Sequence, residues 1–150
     1  MATTSFRFLA AALLAGGLAA SGLAASCSFG PPQGCGDNIG GTANEALFDQ
    51  HFSTMALVSQ TTGQPGPNGE EGEQYGQSDA LSLLVDAKDE VAVRACVQYR
   101  SGGGDLPLDR TETMAAGQGS MGLGTFGSGS YVVRVIVEDT LVKNFPFQVK

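Results

Sequence analysis

A chain of 150 residues with a single His and no Trp has room for one domain and little material for a site built on imidazole or indole. Fifteen Asp and Glu against eight Lys and Arg leave a formal net charge of −7, a balance that opposes binding to nucleic acid and to anionic lipid head groups. The three cysteines form no C-x2-C pair, and one histidine cannot make an H-x3-H pair, so the common zinc spacings are excluded as well.

The first quarter is not domain material. Residues 1–7 carry one charge, Arg7, and residues 8–25, FLAAALLAGGLAASGLAA, are apolar and rich in small side chains. A positive start, an apolar middle and small residues before a break predict a secretory signal peptide over residues 1–26. The alternative, a permanent transmembrane anchor, needs about 20 strongly apolar residues, and this run is short and diluted by Gly and Ala.

The step that follows, Leu23-Ala24-Ala25-Ser26-Cys27, resembles the lipobox of bacterial lipoproteins. That resemblance implies lipidation of Cys27, which then becomes the mature N-terminus and holds the protein on a membrane of the bacterial cell envelope. Ordinary cleavage between Ala24 and Ser26, releasing a secreted or periplasmic soluble protein with a free Cys27, is the competing outcome. Cysteine arithmetic favours lipidation: with Cys27 consumed, Cys35 and Cys96 remain as a pair for an oxidising compartment. A 35–96 bridge would close a loop of about 60 residues and contribute ~4 kcal/mol by chain entropy. Three free thiols, or pairing of Cys27 with Cys35, are the other possibilities.

Residues 27–41 are rich in Gly and Pro without hydrophobic periodicity, and read as a flexible tether before a domain at 42–150. A bridge from Cys35 would pin the second half of that tether to the body. In residues 42–60, Thr42 and Glu45 have capping-box spacing, and Leu47, Phe48, Phe52 and Met55 share a helical face, predicting a short helix or turn before a strand over 51–60. His51 has no acidic or Cys neighbour in sequence at catalytic or ligand spacing and reads as structural. Residues 63–77, GQPGPNGEEGEQYGQ, read as a long polar loop whose Glu70, Glu71 and Glu73 could hold a hard cation or be plainly solvated.

Order then returns. Residues 79–87 predict a mostly buried strand and Lys88-Asp89-Glu90 a turn. Residues 91–100 alternate, with Val91, Val93, Ala95, Val97 and Tyr99 facing one way and Arg94, Cys96, Gln98 and Arg100 the other. A bridge from Cys96 would therefore reach outward to a covering segment and not across the core. Residues 106–113 suit an edge strand or a crossing loop, and residues 120–126 are the best strand candidate in the glycine-rich stretch that follows. The chain ends in a hairpin: Tyr131, Val133, Val135 and Val137 alternate with polar or outward positions, Asp139-Thr140 forms the break, and residues 141–149 return.

Six or seven short strands without a long helix between them predict an all-β antiparallel sandwich. The run Gly127-Ser128-Gly129-Ser130-Tyr131-Val132-Val133, leading into a hairpin that ends Phe147-Gln148-Val149-Lys150, resembles the last two strands of immunoglobulin-like domains. Tyr131 matches the tyrosine-corner residue and Val133 stands where many members have Cys. The resemblance implies a single Ig-like β-sandwich of about seven strands.

Chemistry has little to stand on: there is no G-x-S-x-G elbow, any triad would rest on His51, and no phosphate-loop lysine follows the glycines. No catalytic residue, metal or cofactor is expected. The expectation is a non-catalytic binding or scaffolding domain of the cell envelope, meeting a membrane through its lipid anchor, with an envelope protein as the candidate partner. Two alternatives are a cation-dependent hydrolase using residues 70–73 and a structural or adhesive subunit that uses an edge strand. The places expected to bind are the loops at 63–77 and 101–120 and the exposed sheet face carrying Arg94, Gln98 and Arg100.

Overall fold

A computed structural model describes Cys35, residues 41–101 and residues 106–150. The expected signal peptide, Cys27 and most of the expected tether lie outside the described residues. One short helix precedes nine strands: α1 (Glu45–His51), β1 (Phe52–Ser59), β2 (Asn68–Gly69), β3 (Gly72–Tyr75), β4 (Leu81–Ala87), β5 (Val91–Tyr99), β6 (Leu108–Met114), β7 (Gly117–Gly124), β8 (Gly129–Val137) and β9 (Thr140–Val149).

Two sheets pack as a sandwich. The smaller has the order β1-β4-β7 and the larger β2-β3-β9-β8-β5-β6. All pairings are antiparallel except β3 on β9, which is parallel. Because the chain changes sheet after β1, β3, β4, β6 and β7, inward-facing residues of both layers must meet in one core. They do: Leu57, Leu83, Val93, Val97, Met121, Val133, Val135 and Phe147 are at most 1% exposed. Strict alternation in β5 and β8 is what delivers these valines to one side.

The tyrosine corner is present. Tyr131 opens β8 and donates its hydroxyl to the Gly127 carbonyl at 2.8 Å, while its buried ring stacks on Phe147 with centroids 5.1 Å apart. Together with the strand order this makes the fold an Ig-like sandwich. Neither Trp nor an intersheet bridge supplies the centre; aromatic contacts among Phe126, Tyr131 and Phe147 fill the end near that corner.

Several local expectations need correction. The helix is capped by Asn44, not by a Thr42 box: its side chain accepts from the Leu47 amide at 3.0 Å. The Asn44 amide also donates to the Leu141 carbonyl at 2.8 Å, which fastens the helix start to β9. The final hairpin turns at Glu138-Asp139, one residue earlier than expected, with φ of 50° and 57°. Two consecutive left-handed residues between paired Val137 and Thr140 are the geometry of a type I′ turn. β7 starts and ends earlier than the expected 120–126 strand, leaving Phe126 in the core beyond the strand's end.

The largest correction concerns residues 63–77. This stretch is not a plain loop, because β2 and β3 form a small hairpin that extends the larger sheet, with Tyr75 paired to Val149. Tyr75 is 5% exposed; its hydroxyl lies 3.0 Å from the Leu57 carbonyl and 2.5 Å from a Glu73 carboxylate oxygen, and receives the Gly66 amide at 3.1 Å. Burial, reinforced by Glu73, pushes its pKa well above the ordinary tyrosine value. Gly72 has φ 113°, and a side chain there would overlap the Pro146 carbonyl, so this glycine serves close approach of β3 to β9.

Candidate functional site

Four places were singled out by sequence or by chemistry, and the structure treats them differently. Cys35 and Cys96 form a disulfide with Cα atoms 5.7 Å apart, within the usual range. As expected, Cys96 leaves β5 on the face away from the core. Both cysteines are buried, against Ile136 and the half-buried Leu106, in a small apolar cluster on the outside of the larger sheet.

That cover closes the expected exposed sheet face at Gln98 alone; Arg94 stays half-exposed and Arg100 exposed. Gln98 is 8% exposed, and Arg134 on the neighbouring strand is 5% exposed with Nη1 3.4 Å from the Cys35 carbonyl. Burial lowers the pKa of the Arg134 guanidinium. Arg94 grips Asp109 with two hydrogen bonds of 2.8 and 2.7 Å, which hold the Asp109 carboxyl below its usual pKa. Arg100 donates to the Glu71 carbonyl at 3.0 Å. Alternation correctly assigns these residues to one face, but a face is open only if nothing folds over it.

The three glutamates do not converge. Glu73 takes the Tyr75 hydroxyl and Glu71 the Ser130 hydroxyl, while Glu70 and Glu71 border a depression with Gln148 and Lys150 that Glu73 does not line. Among the described residues no three His, Cys, Asp or Glu side chains come together in a group that could hold a metal. The stretch at 101–120 is likewise mostly strand in its described part, as β6 and the first half of β7.

His51 has partners that sequence spacing could not show. Its Nδ1 lies 2.9 Å from an Asp89 carboxylate oxygen and its Nε2 lies 3.9 Å from Glu138. The β4–β5 turn and the β8–β9 turn thus meet the last residue of α1. The ring is buried, and the Lys88 amide donates to the His51 carbonyl at 2.7 Å. With both ring edges enclosed and the backbone tied, this cluster holds α1 to the end of the sandwich; a closed ring offers a substrate no approach.

The outer face of the smaller sheet carries two adjoining depressions, among several of similar size on the described surface. Its centre is Leu84, 39% exposed. To one side a trough of about 390 Å³ runs between Ser59, Gln60, Ser82 and Ser120, and to the other a smaller one of about 170 Å³ is bordered by Thr54, Asp86 and Gln118. Gln60 Nε2 donates to the Ser82 hydroxyl at 2.8 Å and fixes one wall. An aliphatic centre ringed by hydroxyls, amides and the Asp86 carboxylate on a sheet can take up another molecule by contact and hydrogen bonding. Outward-facing Leu84 and the small residues of β7 were the sequence signals for this surface. They are weak ones, since an isolated exposed Leu is ordinary.

No helix among the described residues is long and apolar enough to cross a membrane. No protein-family model matches the chain, and no curated protein sequence matches it. Among solved structures, the chain is similar to part of the beta-D-glucoside glucohydrolase of Trichoderma reesei, with a TM-score of 0.36 and 11% identity over 66% of this chain. It spans 18% of that protein's length.

Proposed function

We propose that this protein is a lipid-anchored component of a bacterial cell envelope, whose Ig-like sandwich binds or scaffolds another molecule without catalysing a reaction. The observation that carries this reading is the buried Cys35–Cys96 bridge. A bridge of this kind suits an oxidising compartment, and it leaves Cys27 as the one remaining cysteine of three. Cys27 follows an apolar small-residue run, where a lipobox would present it. The body adds a rigid sandwich with a small polar-rimmed surface and no converging set of catalytic groups among the described residues.

Mass spectrometry of the membrane fraction tests the anchor: the N-terminal peptide should begin at Cys27 and carry acyl mass. Cys27→Ser should release the protein or block its maturation. A soluble wild-type chain without added mass would overturn the lipoprotein assignment.

A further inference from the structure

Of the four sheet edges, that of β7 has the least to refuse another strand, its open side being met only by Arg110 at the Gly122 carbonyl. β2 is only two residues long, and β6 carries Asp109, Arg110 and Glu112. On β1, the outward Leu57 carbonyl and Ser59 amide are engaged by the Tyr75 hydroxyl and the Gln64 carbonyl. Short length, charge and covering are the usual protections of an exposed edge. β7, GQGSMGLG, has eight residues and neither charge nor proline.

The direction of its backbone follows from the pairing. Leu57 and Ser59 point away from β4, so their register partners Leu83 and Leu81 must bond across to β7 instead. Leu83 and Val85 pair with Met121 and Gly119, which leaves the amides and carbonyls of Gln118, Ser120 and Gly122 at the open edge. The Gly122 carbonyl, reached by Arg110 Nη1 at 3.0 Å, confirms that direction independently. No other partner engages these backbone groups among the described residues.

We infer that β7 pairs with β7 of a second copy of this chain, antiparallel about a two-fold axis at Ser120, joining the two smaller sheets into one six-stranded sheet. This rests on the binding or scaffolding role proposed above and names the partner. The strand is complementary to itself in that register. Gln118 stands opposite the other copy's Gly122, Met121 opposite Gly119 and Leu123 opposite Gly117, so each larger residue meets a glycine and Ser120 meets Ser120.

Charge fits as well. Asp86 is paired in register with Gln118, so in the dimer it lies two strands from the other copy's Gly122, where Arg110 is held. Asp86 forms no ion pair among the described residues, and the two-fold axis twice brings it toward Arg110, which within its own copy is paired with Glu112. The Gly122 carbonyl, with two lone pairs, accepts from the incoming Gln118 amide while keeping Arg110. An acidic body that otherwise repels its copy thus presents a neutral, extendable strip.

The test uses the full chain expressed with its leader and recovered from the envelope with the 35–96 bridge intact. Ser120→Cys should form a reducible dimer under mild oxidation, whereas Thr113→Cys on the exposed face of β6 should not. Ser120→Lys and Ser120→Glu, each placing like charges opposite one another, should each weaken self-association about fivefold, and mixing the two should restore it as a heterodimer. Dimerisation equal in wild type, Ser120→Lys and Ser120→Glu would overturn the pairing, as would a strictly monomeric wild type from micromolar to millimolar concentration. Acyl mass on Cys27, read from the same sample, reports separately on the anchor: a dimer without it sinks the lipoprotein reading alone, and an acylated monomer sinks the dimer alone.

Discussion

The Tyr131 hydroxyl reaches back 2.8 Å to the Gly127 carbonyl, closing the corner through which the chain enters β8. The bond satisfies a carbonyl at the turn while the ring packs on Phe147 and Phe126. Removing the hydroxyl alone separates these contributions. Tyr131→Phe should cost about 1 kcal/mol in urea denaturation, the value of a typical intramolecular hydrogen bond. Tyr131→Ala, which also empties a 2% exposed site, should cost about 3–5 kcal/mol. A Tyr131→Phe variant as stable as the parent would show that the corner bond contributes nothing.

The disulfide spans 61 residues of sequence. Replacing Cys35 and Cys96 together by Ala should lower unfolding free energy by about 2–4 kcal/mol, and added reductant should lower the wild-type Tm in the same direction. A double variant as stable as the oxidised parent would mean that the cluster around Ile136 packs equally well without the bond.

Gly72 is a position where backbone approach leaves no room. Gly72→Ala should destabilise the β3–β9 pairing, costing about 1–3 kcal/mol from its positive φ alone, with further loss from the Pro146 carbonyl. Amide exchange should show the loss first at Glu73 to Tyr75. Undiminished protection there would contradict the close contact.

The Arg94–Asp109 pair sets a pH dependence. The Asp109 pKa is lowered in the folded protein, first by the Arg94 hydrogen bonds, whereas the Arg94 pKa is raised and its charge persists throughout. The pair's contribution is therefore present above the ordinary Asp value of about 3.9 and is lost as pH falls through the lower folded value. Both side chains are more than a third exposed, so solvent screening limits the effect to about 0.2–1 kcal/mol. Carboxyl NMR titration should place Asp109 below the usual range, and Arg94→Ala should bring it back up. An unchanged titration in Arg94→Ala would remove Arg94 as the cause.

How much was legible before the fold was known depended on whether the determining contact was local. Alternation in β5 and β8 located the core valines, and Gly127 with Tyr131 located the corner. Cysteine counting favoured the 35–96 pair because only three cysteines exist. By contrast, the β2–β3 hairpin is stabilised by β9 and by one buried Tyr75, so its own polar, glycine-rich sequence reads as loop. His51 meets Asp89, 38 residues away, only because α1 and the β4–β5 turn reach the same end of the sandwich. Gln98 and Arg134 look solvent-facing by period but are buried on the face that carries the Cys35–Cys96 bridge, which no strand pattern records. The edge of β7 was hidden for a related reason: an uncharged strand becomes notable only once its pairing shows that no strand among the described residues covers its far side.

The placement of Cys35 also decides where mechanical load enters the molecule. Were Cys27 held in a bilayer, as proposed, tension would arrive along eight residues that extend at most ~28 Å and would pass through sulfur into the middle of β5. Helix α1 and β1, which follow in sequence, are bypassed by that force. Pulling on the anchor therefore shears a strand flanked on both sides by β6 and β8, instead of peeling the domain open from its first strand.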